Sequence, residues 1–219
     1  MCIRDRHYGD KDSIKKAISG ALENGVSIGI HPGYPDKENF GRKSLDISLP
    51  QLKGSLTVQI ELFLSVCEEL GTKPTHIKPH GAFYNDLASD LALSLEILST
   101  ITNLLPGITI YGLAHSDIHI AIKKLDLKGV NEVFADRAYT KDKKLVTRKE
   151  PGAVISEWSK MRQQIDGLLT GEIFSIEGEK ISLEAQSICL HGDSPNAAAN
   201  SKKIYEYVKS QDYAIRSYF

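Results

Sequence analysis

Short apolar, β-branched runs that alternate with helical patterns constrain this chain more than any other feature. VSIGI (26–30), THIKP (75–79), ITIYGL (108–113), NEVFA (131–135) and SICLH (187–191) read as strands. Such continuous apolar runs suit parallel strands covered on both faces. Between them lie helical patterns. Residues 11–24 follow a potential cap at Asp10 and end before Gly25, and 49–70 carry Pro50 in the first turn and stop at Gly71. The others are 86–105, 116–125, 156–169 and 195–210, while 172–183 alternates about Glu177-Gly178 as a hairpin would. Strand–helix alternation of this kind predicts a parallel α/β fold, either a barrel or an open sheet. Five main strands are fewer than the roughly eight of a standard closed β/α barrel.

The 219 residues suit one large domain, and 41% hydrophobic content is enough for its core. A formal charge of −1 gives no reason to expect nucleic acid or an anionic membrane as partner. No apolar run approaches the roughly 18 residues of a membrane span. Three widely spaced cysteines, Cys2, Cys67 and Cys189, form neither a disulfide framework nor a zinc knuckle. The expectation is a cytoplasmic protein. The opening MCIRDR shows no period and reads as an artefactual start, which leaves residues 7–219 as a single domain.

Parallel α/β folds bind ligands at the carboxyl ends of their strands. Those ends are chemically rich here. The first leads into His31, Tyr34, Asp36 and Arg42, and the second into Lys78, His80, Tyr84 and Asn85. The third is followed by His115-Ser116, the fourth by Asp136, Arg137 and Tyr139, and the last by His191 and Asp193. His7 and Asp10 stand in the same relation to the first helix. Pro79 ends its strand for want of an N–H, and Gly81 lets the backbone turn close to a ligand. His31, His80 and His191 occupy equivalent places in three βα units and are expected to converge on one pocket mouth. His76 reads as a surface or packing residue and His119 as an exposed helical one. Asp136-Arg137 reads equally well as a functional pair and as an ion pair holding a loop. The chain has no GxxxxGK[ST] loop, no GxGxxG after a strand and no GxSxG elbow.

The stretches HPGYPDKENFGR, KPHGAFYN, FADRAY, VTRKEPGAVI and HGDSPNA resemble the LamB/YcsF family, in order and at family-like spacing from His7 onward. The resemblance implies a seven-stranded β/α (TIM-like) barrel of the glycoside hydrolase/deacetylase type. It implies ATP-dependent opening of the lactam 5-oxoproline to L-glutamate, in a 5-oxoprolinase complex with B and C subunits. It also implies ATP, with Mg2+, as cofactor. By motif it carries a catalytic role to His31, Lys78, His80, Asp136, Arg137, His191 and Asp193. It carries a substrate-binding role to His7, Asp10, Tyr34, Asp36, Arg42, Tyr84, Asn85 and Tyr139. Family members open with a strand bearing an Asp-Leu-Asn-Cys-Asp motif, which this sequence lacks, and Tyr8 replaces the usual Ala. The expectation is therefore an N-terminally truncated, incomplete barrel.

In such a reaction Lys78, Arg137 and Arg42 would meet phosphoryl charge, and Tyr84, Asn85 and helix-start N–H groups would meet a developing oxyanion. His80 or His191, the latter oriented by Asp193, would activate water. Two other readings remain open at this point. One is a divalent-metal hydrolase or deacetylase built on His31, His80, His191 and an Asp. The other is a non-catalytic subunit that binds a small acid.

Overall fold

The computed structural model describes residues 10–192 and 196–216; His7 and Asp193, and the opening 1–6, lie outside them. The chain divides into two compact units, Met1–Val130 and Asn131–Phe219.

The first unit alternates helices and strands. Helix α1 (Lys11–Glu23) starts where Asp10 accepts the Ser13 N–H at 2.9 Å. Strand β1 (Gly29–Ile30) leads to helix α2 (Leu49–Glu69), which turns Leu52, Leu56 and Ile60 onto one buried stripe. Strand β2 (His76–Ile77), helices α3 (Gly81–Leu87) and α4 (Leu91–Leu104), strand β3 (Thr109–Leu113) and helix α5 (Asp117–Lys124) follow. Strands β1, β2 and β3 run parallel, in the registers Gly29↔His76, Ile30↔Ile77 and Ile77↔Ile110. Their inward residues Ile30, Ile77 and Ile110 join Leu56, Ile60, Phe83, Ile97 and Ile101 in one core. Gly29 is required by its neighbour, because a Cβ there would lie 2.1 Å from His76 Nε2.

Strand β4 (Gly129–Phe134) carries the chain into the second unit. There it pairs in parallel with strand β7 (Ser187–Cys189), in the register Val133↔Ile188. Helix α6 (Trp158–Thr170) and helix α7 (Ala197–Ser210) place Met161, Ile165 and Val208 beside Ala135. Strands β5 (Glu172–Phe174) and β6 (Lys180–Ser182) form the predicted antiparallel hairpin.

All five predicted parallel strands are present, and the fold is α/β with parallel pairing. The pattern over 86–105 differs from expectation. It is two helices, because Asp90 caps a new start by accepting the Leu93 N–H at 2.9 Å. Ser94 Oγ, fully buried, donates to the orphan Leu87 carbonyl at 2.6 Å and finishes the preceding helix. Gly167 does not end α6. It lies where the chain returns, 2.5 Å between a hypothetical Cβ and the Glu172 carbonyl oxygen, and the helix stops at Gly171 (φ 85°). Among the described residues no helix is long and apolar enough to cross a membrane.

Candidate functional site

Strand ends β1 and β2 deliver one cluster in the first unit. Parallel pairing fixes the Lys78 N–H on the Ile30 carbonyl and the His80 N–H on the Pro32 carbonyl, at 2.9 and 2.8 Å. That register sets His31 beside His80. His31 Nδ1 lies 2.6 Å from the Lys78 carbonyl oxygen, and His31 Nε2 lies 3.1 Å from His80 Nδ1. His80 Nε2 lies 2.9 Å from the Phe40 carbonyl oxygen. The rings meet edge-on, with centroids 4.9 Å apart.

The loop that carries Phe40 is held from several sides. Phe40 and Gly41 both adopt left-handed backbone (φ 56° and 62°). The Gly41 carbonyl accepts the Ala82 N–H at 2.9 Å, so close that a Cβ on Gly81 (φ +59°) would lie 2.4 Å from it. Tyr34, buried, donates to Asp86 Oδ2 at 2.7 Å, and Ser44 donates to Asp86 Oδ1 at 2.9 Å. Burial first, and then Asp86, pushes the Tyr34 hydroxyl far above its ordinary range. Gln59 grips Gly33 at both ends, accepting its N–H at 3.0 Å and donating to its carbonyl at 2.9 Å.

Lys78 is 8% exposed and holds its ammonium 5.8 Å from the Tyr84 ring centroid. Arg42 sits 5.2 Å from the Phe40 ring centroid. Asp36 Oδ1 accepts the Asn39 backbone and side-chain N–H groups, at 3.1 and 3.0 Å. Its Oδ2 is buried and has no hydrogen-bond partner. Asn85 is exposed on α3, and Asp10 caps α1.

The second unit holds a different pair. Asp136, 1% exposed at the end of β4, takes His191 Nδ1 at 2.9 and 3.0 Å, and its Oδ2 also accepts the His191 backbone N–H at 3.0 Å. The His191 ring stacks on Phe134, centroids 5.3 Å apart. Burial works to raise the Asp136 carboxyl. The hydrogen bonds and charge of His191 outweigh it and hold the group below the usual range. Arg137 is buried and donates to the Ala153 carbonyl at 3.3 Å and to the Val146 carbonyl, fastening the loop that follows β4. Tyr139 is fully buried, and its Oη accepts the Phe134 N–H at 2.8 Å. Burial pushes its hydroxyl far above the ordinary range.

Of the predicted residues, His31, Tyr34, Asp36, Arg42, Lys78, His80 and Tyr84 are therefore brought into one region of the first unit. Asp136 and His191 are brought together in the second. Arg137 and Tyr139 stand behind that pair as buried supports. His76 is buried against Tyr111, centroids 4.9 Å apart, so the packing reading holds and the surface reading does not. His119 is half-buried rather than exposed, with Nε2 3.0 Å from the Gly112 carbonyl oxygen. Sequence reasoning missed Gln59, Ser44 and Asp86. Gln59 had a signal, a polar residue on the apolar stripe of α2 next to Ile60. Among the described residues no group of three or more His, Cys, Asp or Glu is placed to hold a metal ion.

A 5-oxoprolinase A subunit of Agrobacterium fabrum is 38% identical over 213 residues, which is 97% of this chain and 84% of the relative. The crystal structure of a lactam utilization protein from Thermus thermophilus matches with a TM-score of 0.87 at 27% identity, over 97% of this chain and 85% of that one. The LamB/YcsF family model matches residues 4–218, and the chain belongs to that family.

Proposed function

We propose that this chain is the A subunit of a 5-oxoprolinase, which opens the lactam of 5-oxoproline to L-glutamate with hydrolysis of ATP, in complex with B and C subunits. The observation that carries the reading is the 38% identity, along 97% of the chain, to a relative named as that subunit.

A lactam amide is a poor electrophile. Transfer of the ATP γ-phosphoryl group to the lactam oxygen makes the ring carbon attackable. A first water adds there, the ring C–N bond breaks and the nitrogen takes a proton. A second water then releases phosphate as the free carboxylate forms. Phosphoryl transfer relies on positioning and on fixed cations. In the first unit Lys78 and Arg42 are the cations of this reading. Asp36 suits the lactam N–H, since a buried carboxylate oxygen without a partner is a place for a donor. Mg2+ would arrive with the ATP phosphates, because it keeps most of its waters and needs few protein ligands. In the second unit, Asp136 fixes His191 through Nδ1, and this reading gives the proton transfer to the imidazole that Asp136 orients.

The test is glutamate production from 5-oxoproline by the full chain co-expressed with B and C subunits. Production that requires ATP, and falls by about 100-fold or more in Lys78→Met, is the expected result. No glutamate, or glutamate made equally well without ATP, would overturn the reading.

A further inference from the structure

Gln59 stands on helix α2 between Leu56 and Ile60, two residues of the first unit's core, so its side chain starts from a fixed base. Its amide meets one residue of the loop after β1 at both ends. Oε1 accepts the Gly33 N–H at 3.0 Å, and Nε2 donates to the Gly33 carbonyl at 2.9 Å. Nε2 also donates to Ser55 Oγ, one turn earlier on the helix, at 3.2 Å. A flipped amide would set N–H against N–H and carbonyl against carbonyl, so these contacts allow only one orientation. The Gly33 N–H and carbonyl belong to two successive peptide planes, and holding both planes fixes the φ and ψ between them. Such a grip matters most at Gly33. Pro32 has its φ locked and Tyr34 is restricted by Pro35, whereas a glycine has neither limit.

The first of those planes reaches the site. One end of it is the Gly33 N–H on Gln59, and the other is the Pro32 carbonyl, which accepts the His80 N–H at 2.8 Å. A planar peptide unit cannot turn at one end without turning at the other. We propose that Gln59 is a positioning residue: by freezing Gly33 it aims the Pro32 carbonyl, and so fixes the His80 backbone against the strand end that carries His31. The effect on turnover rests on the lactam reading above; the grip itself rests on geometry.

The chemistry of the side chain fits the task. A carboxylate has no donor for the Gly33 carbonyl, and a thioether has no N–H and is a weak acceptor. Two other bonds tie the same loop to α3: the His80 N–H, at the cap of that helix, on the Pro32 carbonyl, and Tyr34 on Asp86 at 2.7 Å. Gln59 ties the loop to α2 instead. The His80 backbone is thereby held against the core helix as well as against its own, and a site supported from rigid elements keeps its geometry better than one supported from loops.

The experiment is amide hydrogen exchange of the full chain, read residue by residue by nuclear magnetic resonance, in the wild type and in Gln59→Met, which keeps the length of the side chain and removes both bonds to Gly33. Exchange at the His80 N–H should accelerate by about 10-fold or more. The Lys78 N–H, bonded to the Ile30 carbonyl, should change by less than about 3-fold. Gln59→Glu lacks the donor and sets a carboxylate oxygen against the Gly33 carbonyl. It should act in the same direction, so either variant decides if the other fails to fold. An equal rise at both amides, or no rise at His80, would overturn the proposal. In the complex with B and C subunits the same variants should lower kcat for glutamate formation by about 10-fold or more, with KM for 5-oxoproline within about 3-fold. An unchanged kcat beside a loosened His80 would overturn the positioning role. A wild-type complex that makes no glutamate would end the lactam reading, and the exchange measurement would still decide the grip.

Discussion

Two strand ends hold histidines by opposite means. In the first unit, His31 and His80 rest on backbone carbonyls, and the loop around them is tied by many modest bonds through Gln59, Ser44, Tyr34 and Asp86. In the second unit, His191 rests on one buried carboxylate, which takes both its ring and its backbone N–H. Neutral acceptors set where protons sit, whereas a carboxylate also stabilises the charged ring. The first arrangement spreads its stability over many partners. Among the described contacts the second concentrates it on one.

The largest effect should follow from that concentration. Asp136→Ala leaves the His191 backbone N–H without its acceptor and removes the only buried charge beside the ring among the described contacts. Loss of one partner of such a pair should cost about 4 kcal/mol of unfolding free energy. Trp158, the single tryptophan, lies in α6 of the same unit and reports its unfolding in urea. A loss under about 1 kcal/mol would mean that the second unit is as distributed as the first.

Acid should separate the units next. Burial, with the Lys78 charge nearby, lowers buried His76 in the first unit from 6.5 to about 4. The unfolded chain therefore binds this proton more readily than the folded one. Stability from the neutral ring is complete above about pH 6.5 and declines as the pH falls to about 4, by about 3 kcal/mol. Asp136 behaves differently. Its folded value is lowered, so its contribution is present above the ordinary carboxylate range and is lost only as the pH falls through that lower value. On acidification, backbone circular dichroism should therefore begin to change at higher pH than Trp158 fluorescence, and His76→Gln should narrow the gap. Coincident transitions in the wild type would break the comparison.

What could be read in advance follows the same division. The five strands and the hairpin were legible because apolar runs and turn residues are local signals. The strand-end histidines were legible because the topology places such residues alike. The break at 88–90 was not, since the apolar period continues through it and only the Asp90 cap and the Ser94 hydroxyl interrupt the backbone. Nor could the sequence show that His80 would face Phe40, because that contact depends on two successive left-handed residues in a loop. Asp86 gave no sign, being one carboxylate on a short helix whose partners, Tyr34 and Ser44, come from a distant stretch of chain. Tyr139 and Arg137 matched the family motif as well as Asp136 did. All three are buried, and only their partners separate the two that hold backbone groups, Arg137 and Tyr139, from Asp136, which holds an imidazole.

The smallest effect tests the distributed half of the comparison. Tyr34→Phe deletes one hydroxyl and keeps the ring, so the packing against Phe83, centroids 5.3 Å apart, is retained. Asp86 Oδ2 loses its donor at 2.7 Å, but Asp86 is half-buried and still holds Ser44 through Oδ1. Water can reach the vacated oxygen, so the full desolvation cost of an orphaned charge does not apply. The loss should be about 1 kcal/mol, the ordinary net value of one hydrogen bond. That is roughly a quarter of the figure for Asp136→Ala. The ratio is the informative quantity, because both variants are measured by urea denaturation of one chain and share its unfolded state. A Tyr34→Phe loss equal to that of Asp136→Ala would show the loop around His31 hanging on a single bond, and the contrast between the two strand ends would fail.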